Sequence, residues 1–592
     1  MLSLPLKRLI REELNNMSTN QTTLSQSVAE RRSALEARFP VWPRDTIAGH
    51  FSKVCAQYKE RPYLYIDDGE FNYGEVWENA VQYAKAFLKL GVKRRDHIAV
   101  LMNNDATYPS LMIASSLVGA VFIPINAMLA KGELEYIISQ SDTQFLILQQ
   151  KVKDKQHGKA ISELLDEADF QKNSQLEQVI CIENEETGSV DDQFLTWDDF
   201  IQGADTVTDK ELEGRWAASN YPDEVAIIMY TSGSTGSPKG VMLTHDMLLR
   251  SGYGTCMSRA IEDGRVTFAP LPFYHCFAII EAIFAMSFVG GSFISALGAS
   301  PLQSLQLMEK YKANDYLCVP STLVPLLNHP RVSEFDLSNL FAMWCGAAPA
   351  PVPVWKKAVD LLGLTEIITG YGQTEVASSG VTTEIGDSLE RISTRVGRPK
   401  LNGTSGLPEF NGSAVQYKTI DRDTGKNLTP GAVGELTVRG ATVTHGYYKK
   451  PEETAKTIDK DGWLRTGDVG RIDENGYVQV LGRSKEMYKV SGELVSPREV
   501  EIVISEHPAV NQVNVIGVAD AITTEIGAGF IELKEGETCT RKEIIDWCSS
   551  RLARFKIPRH IWFMDSSEWP MTSTGKVQKF RLQEIAEEKL SR

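Results

Sequence analysis

Between Tyr230 and Gly240 the chain reads YTSGSTGSPKG: three glycines, five Ser/Thr hydroxyls and one lysine in a single short stretch. Glycine takes positive φ angles and brings backbone close to a ligand with no Cβ in the way. Successive N–H groups in such a loop form an anion-binding concavity, and the hydroxyls add movable donors. Lys239 adds a point charge. This is the chemistry of holding a polyphosphate, with Thr231, Ser232, Gly233, Ser234, Thr235, Gly236 and Lys239 as the candidate contacts. The order is not that of a Walker A loop, because Gly240 follows the lysine where that motif needs Ser or Thr. A flexible Gly/Ser linker is the bland alternative, but a linker does not usually combine a lysine and a proline with tight apolar flanks.

Four further runs carry chemistry. GYGQTE, Gly370 to Glu375, offers a carboxylate beside a hydroxyl; Mg²⁺ prefers a carboxylate plus phosphate oxygens, while a helix cap is the alternative reading. GWLRTGD, Gly462 to Asp468, ends in a bidentate acceptor suited to paired hydroxyls, or in a plain turn residue. Arg483, in the run that follows, is a second contact or a surface ion pair. PMTSTGK, Pro570 to Lys576, places a cation after a Ser/Thr-Gly turn. LPFYHCF, Leu271 to Phe277, is apolar and aromatic, with no acidic residue until Glu281. His275 there reads either as a pocket wall or as a satisfied core histidine.

In their order along the chain the runs resemble the adenylate-forming (AMP-binding) superfamily, of acyl-CoA synthetase or fatty-acid–CoA ligase type, from about residue 60 to the C-terminus. The resemblance implies that Tyr371 stacks on adenine within a segment that includes Gly372 and Gln373, and that Thr374 bonds the α-phosphate. It implies that Glu375 ligates Mg²⁺, that Gly346 and Ala347 lie along the adenine and acyl chain, and that Asp468 and Arg483 hold the ribose. Phe273, Tyr274, His275 and Phe277 then wall the acyl pocket. Lys485 stands at the family's hinge, Gly492 at the pantetheine channel, and Lys576 at the adenylation lysine. The implied reaction makes acyl-AMP and pyrophosphate from ATP and an apolar carboxylic acid, a medium-to-long-chain fatty acid foremost, and then passes the acyl group to the CoA thiol. The rivals are a ligase loading the phosphopantetheine of a carrier protein, an aryl-acid–CoA ligase, a luciferase-like oxidative enzyme and a dead nucleotide-binding module. The intact Lys239, Glu375, Asp468 and Lys576 set argues against the last.

These residues need a scaffold. At 592 residues the chain is too long for one core. From residue 74 to 148 helices alternate with near-continuous apolar strands, the first helix carrying Trp77, Val81, Ala84 and Leu88 on one stripe. That pattern predicts a parallel α/β sheet covered on both faces. Val225–Tyr230 and Val241–Leu243 both read as strand, so the phosphate loop is expected between two strands. Residues 150–215, polar and acidic apart from the strand-like Val179–Ile182, read as a surface excursion of the first domain, and the polar stretch 402–413 as a surface loop. DRDTG, 421–425, reads as a turn, and Asn475-Gly476 as a hairpin tip. The expected fold is α/β: a large N-terminal body of layered α/β subdomains plus a β-rich subdomain (46–484), a small mobile α+β C-terminal domain (485–592), and an N-terminal extension (1–45).

A net charge of −15 disfavours nucleic acid. Eight scattered cysteines without a C-x-x-C pair fit reduced thiols in a cytoplasmic protein rather than a zinc site. No apolar run reaches the length of a membrane span. The first residues, MLSLPLKRLIREELNNM, lack a signal-peptide core; they read as a short helix or frayed tail, with peripheral membrane contact as the alternative.

Overall fold

A computed structural model describes residues 26–67, 69–183, 191–231, 238–491, 493–520, 522–571 and 577–591. The chain forms two compact units. The first takes the chain to residue 393 together with 397–416 and 439–456, and the second takes 394–396, 417–438 and everything from 457.

The first unit holds two seven-stranded sheets. One runs in the order Leu195–Thr196, Gln178–Ile182, Phe145–Gln149, His97–Leu101, Val121–Ile125, Val225–Thr231, Lys239–Thr244. Every neighbouring pair is parallel except the last. The three strands His97–Leu101, Val121–Ile125 and Phe145–Gln149 are buried at all positions, as strands covered by helices on both faces must be. The second sheet runs Glu366–Ile368, Ala342–Cys345, Asp315–Cys318, Val266–Phe268, Ser292–Ile294, Pro62–Ile66, Gly69–Asn72, parallel up to its closing hairpin. Open α/β sheets bind ligands beyond the carboxyl ends of their strands. The phosphate loop, LPFYHCF, the Gly346 segment and GYGQTE each begin within a few residues of such an end, after Thr231, Phe268, Cys345 and Ile368.

Three sequence expectations change. The helix Tyr73–Lys89 buries Val76, Ala80, Tyr83, Ala84 and Phe87, whereas Trp77, Val81 and Leu88 are only half-buried. The most buried face is thus turned from the expected one, and Trp77 leans instead on Trp216 with ring centroids 6.0 Å apart. Within 150–215 the strand-like run does form a strand, Gln178–Ile182, and because it extends the sheet in parallel register beside Phe145–Gln149 the stretch is anchored in the sheet rather than a surface excursion throughout. The stretch 402–413 is docked rather than a free surface loop. Asn402 and Ser405 are buried, Asn402 Nδ2 donates to the Arg250 carbonyl at 3.0 Å, and the Arg250 guanidinium donates to the Ser405 carbonyl.

The second unit is β-rich. Val415–Ile420, Gly434–Gly440, Leu464–Ile472 and Val478–Arg483 form a four-stranded sheet, and the last two strands close a hairpin at Asn475-Gly476 with Gly476 at φ +80°. DRDTG is a turn, with Asp421 Oδ1 accepting from the Thr424 N–H and hydroxyl at 2.8 and 2.7 Å. A five-stranded sheet follows, built on the long antiparallel pair Val510–Asp520 and Thr524–Leu533. The Ser496 hydroxyl donates to the Leu481 carbonyl, and Arg498 donates to that of Val480 at 3.2 Å. These bonds join the two sheets, and the unit extends on both sides of residue 484. Among the described residues no helix is long and apolar enough to cross a membrane.

Candidate active site

The strands Val225–Thr231 and Lys239–Thr244 are antiparallel, with Thr231 opposite Lys239 and Tyr230 opposite Gly240. Thr231 and Lys239 therefore form the last rung below the phosphate-loop sequence. Ser232, Gly233, Ser234, Thr235 and Gly236 lie outside the described residues. Lys239 Nζ is 2.8 Å from Glu453 Oε2 and 4.9 Å above the Tyr447 ring. The ammonium beside it holds the Glu453 carboxyl down to about 2. Tyr447 in turn donates its hydroxyl to Glu375 Oε1 at 2.9 Å. The Thr444 N–H donates to the Glu375 carbonyl at 2.8 Å, and the Thr444 hydroxyl to the Met242 carbonyl at 2.6 Å. One segment, 444–453, thus links the phosphate-loop lysine to the carboxylate of GYGQTE. Sequence reasoning missed Thr444, Tyr447 and Glu453. They lie about two hundred residues beyond Lys239, and no spacing rule marks them.

GYGQTE forms a short strand, Gly370–Gln373, antiparallel to Ser378–Thr382. A Cβ on Gly372 would sit 1.8 Å from the Ser378 carbonyl oxygen, so only glycine fits there. Thr374–Val376 is a 3₁₀ turn, followed by Ala377 and Ser378, both left-handed at φ +53° and +79°. Thr374 is buried, Tyr371, Gln373 and Glu375 are half-buried, and Gly372 is exposed. Gln373 Nε2 is a buried donor with no partner among the described residues.

The aromatic run meets this strand at Cys276, whose Sγ is 3.7 Å from Thr374 Oγ1. Phe277 stands edge-on to Trp344, centroids 5.2 Å apart. A Cβ on Gly346 would lie 3.5 Å from Phe277 and 3.4 Å from Trp344 Nε1, itself a buried donor without a partner among the described residues. Phe277, Trp344 and Gly346 therefore form one apolar wall. Ala347 next to it is exposed, at φ +65°. Phe273 lies deeper, against Tyr108 and Phe293 at 5.5 and 5.9 Å, and Tyr274 is half-buried. His275 is exposed, which removes the core-histidine reading; its Nδ1 accepts the Phe277 N–H at 3.2 Å.

In the second unit Asp468 is a buried strand residue rather than a turn residue. It sits opposite Arg483 in the ladder, with Arg483 Nε 3.0 Å from its carboxylate. Lys485 is exposed in the turn that follows. Gly492 and Lys576 lie outside the described residues.

This arrangement can be set beside known proteins. Residues 51–448 match the AMP-binding enzyme family, and 499–576 match the AMP-binding enzyme C-terminal domain. YngI of Bacillus subtilis, whose name places it with the acyl-CoA synthetases, is 33% identical over 91% of this chain and 96% of its own. The mitochondrial medium-chain acyl-CoA ligase ACSF2 of Danio rerio is 28% identical over 89% and 86%. The crystal structure of the anthranilate CoA ligase AuaEII with anthranoyl-AMP superposes with a TM-score of 0.78 at 25% identity, covering 92% of this chain and 98% of that one. Motif order, strand placement and full-length similarity agree, and the chain belongs to the AMP-binding enzyme family as an AMP-forming acyl-CoA synthetase.

Proposed function

We propose that the acid activated is a plain apolar carboxylate, a medium-to-long aliphatic chain, and that amino acids are not substrates. The supporting observation is the wall of Phe277, Trp344 and Gly346 beside Thr374, with no acidic side chain from Phe273 to Ile280. Glu281, the first carboxylate after that run, is fully buried and already accepts from Ser378, Ser379 and Thr255. An α-ammonium would enter this pocket unpaired, at a cost of several kcal/mol.

ATP and the acid react first, to acyl-adenylate and pyrophosphate, and the CoA thiol then attacks the adenylate. The protein's part is positioning and charge stabilisation rather than nucleophilic catalysis. In this reading Lys239 and the loop Thr231–Gly236 hold the β- and γ-phosphates, Thr374 the α-phosphate, Tyr371 the adenine, and Asp468 with Arg483 the ribose. Gln373 Nε2, a buried donor without a partner among the described residues, suits a ligand acceptor. The half-buried Glu375 carboxylate suits Mg²⁺, which takes one or two carboxylates with phosphate oxygens and waters. When bound, the ion neutralises phosphate charge. Lys576 stabilises the charge that develops as the carboxylate attacks, and the C-terminal domain turns about Lys485 to open the channel past Gly492.

Two measurements test this reading. Across acetate, octanoate, palmitate, a cinnamate and leucine, kcat/KM should rise about fourfold per methylene, from about 0.8 kcal/mol each, until the pocket ends. Best activity with leucine or acetate would overturn it, and a clear preference for the cinnamate would make the chain an aryl-acid ligase. Lys576→Ala should lose adenylate formation while still making thioester from synthetic acyl-adenylate. Equal loss of both steps would contradict the rotation, and transfer to a carrier protein in preference to CoA would reassign the acceptor.

A further inference from the structure

Behind GYGQTE lies a buried charge pair that the reaction above leaves without a task. Glu281, in the π-helical segment Ile279–Phe284, is fully buried, and Lys400 is almost so. They do not touch; hydroxyls bridge them. Lys400 Nζ donates to Ser379 Oγ at 3.1 Å and to Thr255 Oγ1 at 3.2 Å. Those hydroxyls donate on to Glu281, Ser379 at 2.9 Å and Thr255 at a shorter distance. Ser378 adds a third hydroxyl to Glu281 Oε1 at 2.7 Å. Lys400 also reaches the Ser251 carbonyl at 3.0 Å, and the Ser251 hydroxyl donates to the Ala377 carbonyl at 2.6 Å.

The contacts converge on three consecutive residues, Ala377, Ser378 and Ser379, of which the first two are the left-handed pair that follows Thr374 and Glu375. Non-glycine residues in that region carry strain and persist only where their surroundings over-determine them. A buried ion pair, moreover, commonly stabilises a core less than apolar residues of the same volume. A costly pair spent on a strained turn beside the site calls for a reason beyond packing. The geometry points to Glu281 and Lys400 as positioning residues for adenylate formation: through Ser378 and Ser379 they clamp the Ala377–Ser378 turn and so fix where Thr374 and Glu375 stand.

This inference rests on the reading of Thr374 and Glu375 as phosphate and Mg²⁺ residues. The test uses the full-length enzyme with Glu281→Gln, Lys400→Met, the double variant, Ser378→Gly and Glu375→Gln, measuring Tm and the kcat and KM of ATP–pyrophosphate exchange with octanoate. Each single charge removal strands a buried charge, so both lower Tm. The double variant removes both charges and regains most of the Tm. If the pair positions the turn, exchange kcat in the double variant stays about 100-fold down, the scale of a small misplacement of reacting groups, with KM for octanoate unchanged. Ser378→Gly removes strain and one hydroxyl without touching a charge; it keeps its Tm and loses about tenfold in kcat, a part of the same misplacement cost. Wild-type kcat in the double variant or in Ser378→Gly overturns the positioning role and leaves the pair a packing feature. If Glu375→Gln alone keeps full exchange, the site reading fails and takes this inference with it. If Glu375→Gln loses exchange while the double variant keeps it, only the inference fails.

Discussion

Two lysines of the first unit meet two glutamates in opposite ways. Lys239 touches Glu453 directly at 2.8 Å, at a partly exposed position where the lysine is 17% and the glutamate 33% accessible. Lys400 never touches Glu281, is sealed from water, and reaches it only through the hydroxyls of Thr255 and Ser379. Burial pushes the Lys400 ammonium down from its ordinary pKa, with Glu281 opposing. A direct pair at the edge is exchangeable, because an arriving phosphate can replace the carboxylate. A bridged pair in the core is bound to its surroundings on every side. On the proposed readings the same residue types serve ligand binding in one place and backbone placement in the other, and burial separates the two.

The sharpest way to break this contrast is to neutralise each lysine in turn. Lys400→Met leaves Glu281 buried and unpaired and should cost about 3–5 kcal/mol of stability. Lys239→Met should cost under about 1 kcal/mol, as exposed pairs do. Denaturant midpoints of the two variants check this, and equal losses would erase the distinction. In catalysis the order reverses for binding: Lys239→Met should lose roughly 10²–10³-fold in kcat/KM for ATP, the scale for one charge-stabilising donor. Asp468→Ala extends the contrast to the second unit. Losing hydrogen bonds made by a charged group should weaken ATP by about 1.5–3 kcal/mol, read by calorimetric titration with the fold intact. Unchanged ATP affinity would dismiss the ribose assignment. Tyr447→Phe removes the 2.9 Å bond to Glu375 and should raise the Mg²⁺ concentration needed for half-maximal exchange several-fold, by about 1 kcal/mol. No change there would mean that Tyr447 does not orient the carboxylate.

The smallest effect concerns pH. The Glu453 carboxyl is held at about 2 against an ordinary 4.5. A depressed acid stabilises the fold above its unfolded pKa and loses that contribution as pH falls toward its folded value. The Tm gap between wild type and Glu453→Gln should therefore be constant above pH 4.5 and shrink below it. A gap that widened on acidification would carry the wrong sign.

The pair of strands that flanks the phosphate motif was legible from apolar flanks alone, because Val225–Thr231 and Lys239–Thr244 are short, continuous apolar runs separated by a sequence rich in Gly, Ser and Pro. The alternation from residue 74 to 148 was legible for the same reason. The rotation of the Tyr73–Lys89 helix was not. It is packed on more than one side, and periodicity cannot rank two apolar faces. The docking of 402–413 escaped because Asn402 and Ser405 are polar residues buried by hydrogen bonds to Arg250, which composition reads as surface. Glu281 was visible only as the first acid after an aromatic run. Its partners Thr255, Ser378 and Ser379 come from two separate elements, and Lys400 joins through Thr255 and Ser379, a set that only tertiary structure brings together. Tyr447 and Glu453 belong to the same class of residue.

The central claim is adenylation followed by transfer to a thiol. It is tested most directly by following pyrophosphate, AMP and thioester from octanoate and ATP, with and without CoA. Without CoA the account predicts ATP–pyrophosphate exchange and about one enzyme-bound acyl-AMP per protein. Adding CoA should release AMP and octanoyl-CoA in equal amounts. Formation of ADP, or thioester without exchange, would contradict it.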